Sequence, residues 1–73
     1  MKFIGLESNT FDSFSGPTQI PEKLFSEIPP KELEEELLLN GDFIAFDKKR
    51  PNHYKVLKKD SMGYRVIHTH TPF

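Results

Sequence analysis

Two short helices packed on one face of a three- or four-stranded antiparallel sheet, an α+β fold, follow from three features of this sequence. Apolar residues recur at helical spacing between Ile20 and Leu39, Asn40-Gly41 stops that pattern, and an alternation of apolar and polar residues replaces it from Asp42 onward. A winged-helix-like arrangement is the alternative, because the order helix, Gly41, strand, basic turn, strand also fits the last helix and wing of such a domain. The 73 residues leave room for one domain, 1–73, since chains of this size already have little apolar surface to bury.

In chain order, residues 2–6 predict a short strand with Phe3 on one face and Ile4 and Leu6 on the other. Residues 8–19 are rich in Ser, Thr, Asn, Gly and Pro and predict an irregular loop that carries two aromatics, Phe11 and Phe14. These rings either fold back onto the core or stand outward as anchors for a partner; packing is favoured because exposed Phe is costly. Ile20 to Ile28 predicts a short helix with Pro21 in its first turn and with Leu24 and Ile28 on a shared face. Pro29-Pro30 ends it, for lack of an N–H donor. A second helix over 31–39 places Leu33 and Leu37 at i, i+4 and Glu32, Glu34, Glu35 and Glu36 toward its N-terminus, where carboxylates meet the positive end of the dipole. Asn40-Gly41 caps it.

Three strands are expected beyond Gly41. Asp42 to Asp47 is nearly continuous in apolar residues, as in a strand covered on both faces. His53 to Lys59 places Tyr54 and Val56 on one face and Lys55 and Leu57 on the other; Tyr64 to His70 places Tyr64, Val66, His68 and His70 together. The connections 48–52 and 60–63 have hairpin length and turn chemistry, giving an antiparallel meander.

Seven Phe and two Tyr give a chain that is only 36% hydrophobic enough bulk for a modest core. With no Cys the chain has neither disulfides nor a thiolate zinc site, which favours a reducing, cytoplasmic compartment. The N-terminal apolar stretch is shorter than the core of a signal peptide, and no run approaches the roughly 20 apolar residues that span a bilayer, so neither export nor membrane insertion is expected.

The net charge of −1 conceals a split. Residues 1–41 hold three lysines against eight carboxylates, net −5, and residues 42–73 hold seven cations against three carboxylates, net +4. Such a split suits an anionic partner for the second half, or equally an attraction between the halves within the fold.

Function is expected to be non-catalytic binding, in a regulatory or inhibitory role. No G-x-S-x-G, phosphate-binding Gly-rich loop or H-E-x-x-H occurs, and no cofactor is implied. Another protein is the expected partner, met by the acidic residues Glu32, Glu34, Glu35 and Glu36 or by Phe11 and Phe14; an exposed sheet edge offers a further contact, including a homodimer. The alternative is nucleic acid, bound by Lys48, Lys49, Arg50, Tyr54, Lys55, Lys58 and Lys59 on the hairpin 48–59, where cations neutralise phosphates and an aromatic stacks on a base. The acidic helix argues against that reading, because its carboxylates would be repelled by phosphates. His68 and His70 have zinc-site spacing, but with only His53 or a carboxylate to complete the set no metal is assigned.

Overall fold

The computed structural model describes residues 2–29, 31, 33, 43–50 and 52–71. Four strands, β1 (Lys2–Leu6), β2 (Phe43–Asp47), β3 (Tyr54–Asp60) and β4 (Gly63–His70), form one sheet in the order β1-β2-β3-β4. The meander β2-β3-β4 is antiparallel as expected, but β1 pairs parallel to β2, with Ile4 opposite Ala45. The sheet is therefore mixed. A parallel neighbour requires a long crossover, and the 36 residues between Leu6 and Phe43 supply it. A four-stranded sheet closed by a parallel N-terminal strand replaces the winged-helix alternative.

Each strand alternates between two apolar layers. Ile4, Ala45, Leu57 and Tyr64 belong to one, together with Leu6, Phe43 and Val66; Phe3, Ile44, Phe46, Tyr54 and Val56 belong to the other. The double coverage predicted for β2 is what the structure has, since Ile44 to Asp47 are all buried.

What covers the two faces differs from expectation. The first layer is closed by Phe14, Ile20 and Phe25, all from the crossover, and the second by Leu33, which is wholly buried. Both faces are thus covered, not one. Lys31 and Leu33 are helical; the rest of the helix expected over 31–39 lies outside the described residues.

Residues 8–13 form a helix, α1 (Ser8–Ser13), where a loop is predicted. Ser, Asn, Thr and Asp are poor helix formers, so local preference points to a loop, and tertiary contacts of α1 override it. Conversely, the helix expected over 20–28 shrinks to a single 3-10 turn, Glu22–Leu24. Phe25 leaves helical geometry at ψ 48 and inserts its ring against Phe43 and Tyr64, at centroid distances of 5.0 and 4.8 Å. Leu24 and Ile28, the pair expected to face the core, are instead exposed. One deeply buried aromatic outweighs two aliphatics at helical spacing, because Phe carries the larger apolar surface.

In β4 the register shifts: Val66 stands opposite Leu57 and His68 opposite Val56, leaving Ile67 as an extra residue. This bulge flips every later side chain to the other face. Tyr64 and Val66 thus share one layer while His68 and His70 join Tyr54 on the other, correcting the single face predicted for all four.

At the start of β4, Gly63 has φ +116, and a Cβ there would lie 2.6 Å from Thr18 O. Substitution Gly63→Ala is therefore expected to cost at least ~1 kcal/mol from conformation alone, with more from the clash. A urea titration of the variant against the wild type measures it.

Candidate functional site

Beside α1, at the end of β2 and the start of β3, lie the two buried charges of the described residues, Asp47 and Lys55. Asp47, the last residue of β2, is fully buried beside the N-terminus of α1. Its Oδ1 accepts hydrogen bonds from Ser8 Oγ at 3.0 Å, Lys49 N at 2.8 Å and Arg50 N at 3.2 Å, while Oδ2 accepts from Arg50 Nε at 2.6 Å. Arg50 extends the chain of charges to Asp12 on α1, at 2.5 Å. Burial by itself would raise the Asp47 pKa, but the Lys49 N–H, the Arg50 guanidinium and the Ser8 hydroxyl outweigh it and hold the carboxyl below its usual 3.8.

Lys55 points from β3 into the same layer and is 7% exposed. Its Nζ donates to the carbonyls of Phe11 and Phe14, the latter at 2.6 Å, and lies 4.7 Å from the centroid of the Phe11 ring. A buried ammonium thus caps the carbonyl end of a helix that has no basic residue of its own there. Desolvation lowers the Lys55 pKa, opposed by the charge of Asp12.

These contacts decide what the predicted residues do. Phe11 and Phe14 are 1% and 9% exposed, so in this fold both rings are core, the inward of the two arrangements open to them. The basic hairpin does not form one patch. Lys55 is buried, Arg50 is neutralised by Asp12 and Asp47, and Tyr54 is buried against the rings of His68 and His70. Lys48 and Lys49 remain exposed at one end of β3, Lys58 and Lys59 at the other, with Lys59 5.8 Å from the Tyr64 ring. From Tyr54 to Lys58 a strand runs roughly 13 Å at about 3.3 Å per residue. Glu32, Glu34, Glu35 and Glu36 lie outside the described residues. Among the described residues no cleft opens and no group of three His, Asp or Glu side chains converges as metal ligands; nor is any helix long and apolar enough to cross a membrane.

A second feature, reached only through the register, is the outer edge of β4. At its start Thr18 N donates to Tyr64 O at 3.0 Å and Tyr64 N to Thr18 O at 2.8 Å, on the side away from β3. Tyr64 therefore faces Lys59 as a non-hydrogen-bonded pair, and because such pairs alternate along a strand, Lys55 also faces a residue whose N–H and C=O turn outward. That residue is Thr69. Among the described residues β4 ends the sheet and Thr18–Tyr64 is the bridge on its outer side, and Ile67 is 55% exposed. The opposite edge is partly covered, since Glu27 N donates to Phe3 O at 3.1 Å and Lys2 pairs with Glu22 at 2.6 Å. Periodicity alone could not single out β4, because the strand order is not written in the sequence.

No family model, curated protein or solved structure matches this chain.

Because the folded pKa of Asp47 lies below the unfolded one, its contribution to stability is complete above 3.8 and is lost as pH falls through the lower, folded value. Asp47→Asn should cost on the order of 3 kcal/mol at neutral pH and flatten the acid limb of the melting temperature. Lys55 has the same sense at the alkaline end, since its folded pKa is also lowered. The unfolded chain holds the proton more tightly, so its contribution rises as pH climbs through the lowered, folded pKa toward 10.5, and Lys55→Met should remove that rise in an alkaline melting series.

Proposed function

We propose that this chain is a non-catalytic protein-binding module, of regulatory or inhibitory type, whose contact is the outer edge of β4. The carrying observation is the outward-turned backbone of Thr69 next to the exposed Ile67, in a sheet whose other edge is partly covered. An unpaired strand presents donors and acceptors at the spacing another extended backbone needs, and it draws specificity from flanking side chains. Partner class is as the composition suggests; the contact moves from the aromatic loop to the strand edge, because Phe11 and Phe14 are committed to the core.

Nucleic acid fits less well. Phosphate binding grows with the number of cations that can neutralise phosphates together, and here Lys55 and Arg50 are engaged internally while the exposed lysines are divided between two ends of β3.

The test is affinity capture from the native cell with four baits: wild type, Thr69→Pro, Lys48→Glu with Lys49→Glu, and Glu34→Lys with Glu35→Lys and Glu36→Lys. Proline at an edge position whose N–H faces solvent is tolerated by the fold but removes the donor. Recovered polypeptides, whether foreign or further copies of this chain, should resist nuclease, survive the lysine substitutions and disappear with Thr69→Pro. Recovery that is nuclease-sensitive and follows Lys48 and Lys49 would establish the nucleic-acid alternative in its place, and recovery lost only with the glutamate substitutions would move the contact to the acidic run.

A further inference from the structure

We propose that α1 is a strap that swings away from the sheet as one unit while the four strands and both apolar layers stay formed, and that Arg50 and Lys55 are the clasp holding it shut. This device is independent of the β4 edge.

Three observations lead to it. First, the strap hangs between two pinned points. Before it, Lys48 N donates to Leu6 O at 3.0 Å; after it, Thr18 and Tyr64 exchange backbone hydrogen bonds at 3.0 and 2.8 Å. Between these pins Glu7 and residues 15–17 are exposed, the residues flanking α1, Glu7 and Phe14, have extended backbone, and a Cβ on Gly16 would meet nothing within 4 Å. The segment therefore has room to turn at both ends without unpairing a strand.

Second, α1 is held from outside itself. It has six residues, no side-chain hydrogen bond at its N-cap and one buried side chain, Phe11. A helix this short does not persist undocked. Among the described residues Phe11 belongs to neither apolar layer; its ring lies beside two cations, with Lys55 Nζ 4.7 Å and Arg50 Cζ 5.9 Å from the centroid. Phe14, which does belong to a layer, lies beyond Ser13, where α1 ends. Both layers thus keep their members when α1 leaves.

Third, each half of the clasp has one partner on the strap and one that stays behind. Among the described residues the Lys55 ammonium has two carbonyl acceptors and no carboxylate paired with it, and a dry cation so placed opposes closure while the Phe11 ring favours it. When α1 swings out, Lys55 keeps Phe14 O and takes water in place of Phe11 O. Arg50 gives up the exposed Asp12 and keeps Asp47. Opening therefore stops short of unfolding, and it bares the Phe11 ring and the Lys55 ammonium together.

The experiment is native-state hydrogen exchange of the full chain at low urea. It reads the Phe11 amide, bonded to Glu7 O within the strap, against the Ala45 and Leu57 amides on the two inner strands. Phe11 should exchange at least about tenfold faster than those two, at a rate that urea scarcely changes, because a small opening uncovers little surface. Asp12→Asn should speed Phe11 about two- to fivefold by removing one exposed ion pair. Ile44→Val, in the layer that Phe14 does not close, should speed Ala45 and Leu57 by roughly threefold or more and leave Phe11 unchanged. A Phe11 amide that shares the urea slope of the strand amides and responds to Ile44→Val shows that α1 leaves only when the whole domain unfolds, which overturns the strap. Indifference of that amide to Asp12→Asn removes the clasp and overturns it equally.

Discussion

The buried ammonium of Lys55 holds the rest of this structure in place. It lies under a six-residue helix too short to persist alone, and it donates to two carbonyls at that helix's end while facing the Phe11 ring. Asp47 does the complementary work at the other end, accepting from Ser8. Between them they anchor α1 on the sheet, which lets Phe14 close one apolar layer and keeps Phe11 dry. Burying one Phe contributes about 1.5–3 kcal/mol, comparable to the cost of desolvating a charge that has found partners. The clamp and the core therefore depend on each other.

This clamp also explains why charge counted along the chain is a poor guide to the surface. The halves of opposite sign meet within the fold through Arg50 and Asp12, a pair that links residues far apart in sequence. Cations that read as one basic hairpin are sorted by their position along β3: its first four residues are buried on both faces, so Lys55 goes to the core, while Lys58 and Lys59 near its end go to solvent. Among the described residues the cations left outside are scattered, and beside them runs a backbone edge.

That edge owes its form to one inserted residue. By standing out of register, Ile67 separates β4 into a first part, bound by Thr18 and packed through Tyr64 and Val66, and a second part whose histidines turn to the other layer beside Tyr54. The first part belongs to the core, and in the second the backbone of Thr69 turns away from β3. Division of labour within one strand suits a domain in which no cleft opens among the described residues.

How much of this was legible beforehand follows from the range of each cause. The four strands, the alternation along β1 and β3 and the double burial of β2 are set by neighbours in sequence, and the residues alone determined them. The helix at 8–13, the collapse of 20–28 to one turn, the parallel placement of β1, the bulge at Ile67 and the internal use of Lys55 and Arg50 arise from contacts between residues some 40 positions apart, such as Lys55 with Phe11 and Arg50 with Asp12. Local propensity carries no record of such contacts, because their energy appears only once the chain has brought the distant partners together. The sequence by itself thus settled which segments are strands and which side chains are apolar enough to bury; the tertiary structure decided which charges are spent inside and which strand is left with an open edge.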